Sequence, residues 1–245
     1  KYLKAAACAK HYAVHSGPEA ERHRFDAVAS KKDMAETYLP AFKALVQEAH
    51  VESVMGAYNR TNGEPCCGSK TLLVDILRNE WGFDGHVTSD CWAIQEFHLH
   101  HQVTATAPES VALAVRNGCD LNCGNLFGNL LIAHQEGLIT EEEIDRSVTR
   151  LMITRMRLGM FDPEEQVPYT SIPFEVVDCK EHRALALEAS KKALVLLKND
   201  NILPLDKNKI KSIAVIGPNA DSRQALVGNY EGTASEYVTV LEGIR

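Results

Sequence analysis

Four times within the first 160 residues a short apolar run is followed by a longer segment with helical period, and this alternation restricts the fold more than any other feature. The short runs are Ala6 to Tyr12, Val54 to Tyr58, Val87 to Ser89 and Asp120 to Asn122. Ser30 to His50 places Met34, Tyr38, Leu39, Phe42 and Leu45 on one helical face. Ser69 stands as an N-cap ahead of Leu72, Leu73, Ile76 and Leu77. Pro108 to Asn117 is closed by Gly118, the residue type favoured just past a helix end. Thr140 with Glu143 fits a capping box before Ile144, Val148, Leu151, Met152 and Met156, and that helix runs out near Gly159. Such alternation argues for an α/β chain with a parallel sheet or a (β/α) barrel. A complete eight-unit barrel takes about 250 residues. Four units in residues 1–160 therefore predict half of a TIM-type (β/α)8 barrel, the C-terminal half.

From Phe161 to Asp178 the period is lost, and Pro163, Pro168 and Pro173 sit among acids, so 161–180 reads as a linker. A second α/β unit is expected over 181–245. Its helix, His182 to Leu197, carries Leu185, Leu187, Ala189, Ala193 and Leu196 as apolar positions, and Ser212 to Ile216 reads as a buried strand. Gly217-Pro218-Asn219 follows it but lacks phosphate-loop spacing, and proline removes a donor N–H, so it reads as a turn. The sequence begins Lys1-Tyr2-Leu3 without an initiator Met or a signal-like segment. The expectation is an internal piece of a longer protein whose compartment is not legible.

Several function classes find no support. A net charge of −7 gives no electrostatic reason for a nucleic acid partner. No apolar run approaches the roughly 18 residues of a membrane span. The composition, 45% hydrophobic and 24% charged, is that of a soluble globular protein. The seven cysteines are odd in number and form no paired C-x-x-C, which argues against a disulfide scaffold or a zinc ribbon. Cys66-Cys67 reads as a buried pair beside a loop. His98-Leu99-His100-His101 contains no His pair at i, i+4, so a loop at the rim of a site is preferred to a metal centre. No G-x-G-x-x-G is present, which sets aside a dinucleotide-binding oxidoreductase.

Each strand end of the first half carries polar groups: Lys10 and His11, Tyr58 and Asn59, Asp90, and Asn122. Convergence of such groups at one rim is what a catalytic barrel mouth requires. A lone carboxylate at a strand tip sits where barrel and open α/β enzymes place chemistry. Strand-to-helix loops also end on Asp as a helix cap, and Asp90 alone leaves both readings open. The chemistry that suits the set is attack on an acetal carbon. A carboxylate nucleophile splits one hard displacement into two easier ones. Asp90 would be that nucleophile, Lys10 and His11 would hold sugar hydroxyls, and Tyr58 would hydrogen-bond the Asp90 carboxylate and keep it ionised.

Lys10-His11-Tyr12, Met55 to Gly63, Trp81-Gly82-Phe83-Asp84-Gly85 and Ser89-Asp90 occur in an order and spacing that resemble glycoside hydrolase family 3, the β-glucosidase and β-xylosidase family. Leu194 to Leu205 and Ala214 to Ala220 look like the opening of that family's second domain. The resemblance implies a retaining exo-β-glycosidase in which a barrel precedes an α/β sandwich, with 181–245 as the incomplete start of the sandwich. It implies that Asp90 is the nucleophile and that Lys10, His11 and Tyr58 contact the first sugar or the nucleophile. It implies no cofactor and no metal, and a small carbohydrate or glycoside as the partner. Association between copies stays open. The family's acid/base Glu has no counterpart here, since neither Glu231 nor Glu236 matches a family motif, so the 245 residues alone are expected to be inactive. The alternative is a sugar-binding or structural remnant without catalysis.

Some members of the family use a His-Asp dyad after the Lys-His pair. His15 stands where the dyad His would be, but Gly17 replaces the Asp, so His15 is a loop or subsite residue on this reading. Cys91 and Cys123 fall where the xylosidase and arabinofuranosidase branch looks similar, and that branch can pair them beside the sugar. Such a bridge would crowd a hexose hydroxymethyl group and favour a pentose. Two free buried thiols are the other reading. Trp92 and Asn122 depart from that branch and leave glucose open, with Cys91, Trp92 and Cys123 as subsite candidates.

Overall fold

The computed structural model describes residues 2–14 and 17–245, and His15 lies outside them. The chain divides into two compact units, Lys1–Tyr169 and Thr170–Arg245. The first has the α/β character expected of it.

Its central sheet is parallel. Strand β1 (Cys8–Tyr12) pairs with β3 (Ser53–Gly56), and β3 pairs with β6 (His86–Thr88). Ala9, Val54 and Val87 are buried where these strands run side by side. The fourth expected strand is reduced to one parallel bridge between Thr88 and Leu121. A small second sheet joins β2 (Asp26–Ala27) in parallel to β4 (Arg60–Thr61), which turns back as β5 (Glu64–Pro65). Asn62 and Gly63 make that turn with φ of 51° and 87°, the geometry for which Asn-Gly is favoured in tight hairpins.

The helix expected over 30–50 is interrupted. Helix α1 (Lys31–Asp33) is capped by the Ser30 side chain, a π-helical stretch follows over Met34–Tyr38, and α2 (Pro40–Gln47) starts on proline. Pro40 has no N–H to donate and its ring crowds the carbonyl four residues back. The backbone widens there, and Leu39 N–H bonds to Met34 O at 2.9 Å, a five-residue reach. The stretch after Ser69 is likewise π-helical, Lys70–Glu80, with the Ser69 side chain accepting from Leu72 N–H. Then come α3 (Glu96–Leu99), α4 (Ala107–Arg116), α5 (Leu130–Gln135) and α6 (Glu141–Arg157). Tyr12 anchors the core, its ring edge-on to Phe42 at 5.1 Å and Trp81 at 5.9 Å. Its hydroxyl donates to Leu72 O at 3.1 Å.

One buried ionic knot ties these layers. The Asp120 carboxylate, fully buried, accepts from Arg78 Nη2, Arg150 Nη1 and Val87 N–H, each at 2.9 Å. It joins β6, the π-helix and α6 at the position of the fourth strand. Burial in turn pushes the Arg78 guanidinium down to about 10, against the pull of Asp120, so it stays charged at neutral pH.

The second unit contains α7 (Lys180–Ala193), α8 (Gln224–Val227) and α9 (Val240–Ile244), with no strand. The buried strand expected at Ser212–Ile216 is not formed, and Ile216 is 89% exposed. A strand needs a neighbour to take its N–H and C=O groups, and no segment of 170–245 is paired with it. Helix α7 stops at Ala193, ahead of the expected Leu197, and its Leu185 and Leu187 are exposed. No helix among the described residues is long and apolar enough to cross a membrane.

Candidate active site

The parallel register brings three strand tips together. Tyr12 lies opposite Gly56, and Met55 opposite Thr88, so the residues after each tip gather at one end of the sheet. There a cavity of about 450 Å³ opens, walled by Lys10, His11, Arg22, Tyr58 and Asp90 with Phe42 and Tyr38. Asp90 is the one carboxylate among the described residues that line it.

Asp90 does not cap a helix. Its Oδ1 accepts from the N–H of Cys91 at 2.8 Å, while neither the 3-10 turn Ala93–Gln95 nor α3 receives a side-chain cap bond. Oδ2 lies 3.6 Å from His11 Nε2, with the Asp90 side chain 15% exposed. An accessible carboxylate therefore faces the cavity beside an imidazole, and Lys10 and Arg22 add positive charge to the same wall.

Tyr58 reaches the cavity but not with the bond expected of it. Its hydroxyl donates to Glu96 Oε1 at 2.8 Å rather than to Asp90. Glu96 is the stronger claimant because its carboxylate is almost wholly buried and must be satisfied. Burial pulls the Glu96 carboxyl up, but hydrogen bonds from Tyr58, His100 and His23 outweigh it and hold it below the ordinary range. Burial, then the Glu96 bond, raises the Tyr58 phenol, which stays a proton donor. The Arg22 guanidinium stands 4.8 Å from the Tyr58 ring centre, a cation–π contact that fixes both.

Cys91 and Cys123 are joined by a disulfide, which decides between the two readings of these cysteines. The bridge staples the segment after β6 to the one after Leu121, helped by Trp92 N–H to Cys123 O at 2.7 Å and Cys123 N–H to Ser89 Oγ at 2.9 Å. Trp92 holds a left-handed φ of 66°. Its ring covers Gly124, where a Cβ would come within 3.2 Å of it and φ is +133°, a backbone conformation that favours glycine. Cys91, Trp92 and Cys123 stand beside Asp90 but are not in the cavity wall.

Arg22, His23, Glu96 and His100 were not legible as site residues. Arg22 and His23 lie in a charged run, and Glu96 has the appearance of an ordinary helix residue. Only Glu96 to His100, at i, i+4 on one helix face, carried a local signal.

The family description "Glycosyl hydrolase family 3 N terminal domain" matches residues 3–154, and "Glycosyl hydrolase family 3 C-terminal domain" matches 194–245. A xylan 1,4-beta-xylosidase of Xylanibacter ruminicola is 45% identical over all of this chain, which spans 29% of that relative. A beta-xylosidase/alpha-L-arabinofuranosidase of Medicago sativa subsp. varia is 39% identical over 99% of the chain and 32% of its own length. Among solved structures, a GH3 exo-beta-xylosidase in complex with a xylobiose aziridine probe superimposes with a TM-score of 0.86 at 35% identity, over 99% of this chain and 32% of that one. A beta-glucosidase from Listeria innocua in complex with glucose gives 0.78 at 31%, over 98% and 33%. The chain thus spans about a third of the length of the relatives it matches.

Proposed function

The chain belongs to glycoside hydrolase family 3, and on that premise we propose that it is part of a retaining exo-β-glycosidase that removes terminal β-linked xylose or glucose through a glycosyl ester on Asp90. The observation that carries the reading is the Asp90 carboxylate at the tip of β6, in the wall of a cavity lined by Lys10, His11, Arg22 and Tyr58. In the first step Asp90 forms a bond to the anomeric carbon while the glycosidic C–O bond breaks and an acid protonates the leaving oxygen. In the second step water, activated by the same group as base, releases the sugar and frees Asp90. Lys10 and His11 hold ring hydroxyls in the geometry for attack, and Tyr58, whose hydroxyl hydrogen goes to Glu96, presents an acceptor oxygen at the wall.

Retention needs a second carboxyl about 5–5.5 Å from the nucleophile. Asp90 has no such partner in the described wall, so the acid/base is assigned to residues outside these 245. The first unit is assigned as the second half of a (β/α)8 barrel, with residues 161–180 as linker and 181–245 as the start of a sandwich domain. Xylose is placed ahead of glucose for two reasons. The relatives at 45% and 39% identity are named as xylosidases, and the Cys91–Cys123 bridge stands next to Asp90.

The test is mechanism-based trapping in the longer protein. A 2-deoxy-2-fluoro-β-xylosyl donor with a good leaving group should add one sugar mass to the peptide carrying Asp90. An adduct on another carboxylate would overturn the assignment. Hydrolysis of an aryl β-xyloside by the isolated 245-residue chain at the rate of the longer protein would refute the missing acid/base.

A further inference from the structure

We propose that His23, Glu96 and His100 form a binding site for a single divalent cation of the borderline class, with zinc as the ion that fits best. The three come from two places in the sequence. His23 sits in the turn ahead of β2, while Glu96 opens α3 and His100 closes it, four residues on and on the same face. His23 Nδ1 lies 3.1 Å from Glu96 Oε1, and His100 Nδ1 touches Glu96 Oε2. One donor atom from each lies within 4.8 Å of the others.

A tetrahedral zinc with nitrogen and oxygen ligands at about 2.0–2.2 Å needs donor separations of roughly 3.3–3.5 Å. The carboxylate–His23 edge, at 3.1 Å, is within a few tenths of an ångström of this length, and the remaining closure is a side-chain adjustment. Two imidazoles and one carboxylate suit zinc, whereas magnesium and calcium take oxygen shells. The set leaves a fourth position for water. The carboxylate is buried and aimed by the Tyr58 hydroxyl at 2.8 Å, as an outer-shell donor orients a metal ligand. The two imidazoles are 55% and 47% exposed, which gives an ion a path in and lets them be truncated without opening the core. A bound ion would tie the turn carrying Arg22 to α3, bracing the cavity wall from behind. The run His98 to His101 hid the site, because only His100 belongs to it. His98 turns instead to Ser110 Oγ at 2.9 Å, and His101 stacks on Phe97.

The experiment is calorimetric titration of the apo protein with zinc sulfate, with magnesium in parallel, on the parent, His23→Gln, His100→Gln, Glu96→Gln and His98→Gln. One zinc per chain is expected, and each of the first three variants should weaken it at least tenfold, by about the loss known for metal-site partners or more. His98→Gln should leave the affinity unchanged. X-ray absorption spectroscopy at the zinc edge should show a nitrogen and oxygen shell. No binding by the parent, equal affinity across the variants, or sulfur in the shell would each overturn the site.

Discussion

Replacing Asp120 with asparagine should be among the most damaging single changes in the first unit. The substitution keeps shape and removes charge. Asn retains one acceptor oxygen, but three donors converge on the carboxylate at 2.9 Å: Arg78, Arg150 and Val87 N–H. The new amide N–H₂ must face at least one of them. The Arg78 and Arg150 side chains are only 12% and 19% exposed, so water cannot replace the lost acceptor. Leaving a buried ion-pair partner uncompensated costs about 3–5 kcal/mol. For a unit of this size each kcal/mol moves the midpoint by roughly 2–4 °C. Calorimetry of Asp120→Asn should therefore show a fall of about 6–20 °C. The exposed Lys70–Asp75 pair, at 2.7 Å, supplies the contrast: Lys70→Gln should shift the midpoint by no more than about 4 °C, as surface bridges do. If Asp120→Asn falls no further than Lys70→Gln, burial is not what makes this knot matter, and the reasoning fails.

Asp90→Asn in the longer protein should lower hydrolysis by on the order of 10³ or more, the scale of losing a covalent nucleophile, and should abolish trapping in a mass-spectrometric assay. Thr140→Ala removes the capping box of α6, in which Thr140 Oγ1 accepts from Glu143 N–H at 3.2 Å and Glu143 Oε2 from Thr140 N–H at 2.9 Å; a loss of about 1 kcal/mol is expected by urea denaturation. Burial holds the His86 imidazole below its ordinary range. The unfolded chain therefore takes up that proton first as pH falls, so His86 favours the fold above about 6.5 and that contribution drains away below it. His86→Asn should flatten the melting temperature between pH 7 and 5, and an unchanged slope would refute this.

Where a local rule had no competitor, the sequence was a good guide. Thr140 and Ser69 cap the helices they precede, and Gly118 takes a positive φ of 91° after α4. Asp90 alone left a helix cap open, and only the polar groups at the neighbouring strand ends, Lys10, His11 and Tyr58, set it apart. Two of the misreadings share one cause, that the deciding partner is not local in sequence. Tyr58 bonds to Glu96, 38 residues on, because that buried carboxylate outbids Asp90. Residues 212–216 have strand-like composition, yet a strand is a property of a pair. Pro40 was a local signal: its missing donor widens the helix, which apolar periodicity alone passes over.

The Cys91–Cys123 bridge also changes the connectivity of the chain. It closes a covalent ring of about 33 residues that threads through α3 and α4. That ring persists when the fold is lost, and its closure removes roughly 3–4 kcal/mol worth of freedom from the unfolded chain. A single protease cut between the two cysteines therefore yields no separate fragments until the sulfurs are reduced. The acid at the tip of β6 remains tethered to the neighbouring strand position through nicking, melting and refolding alike.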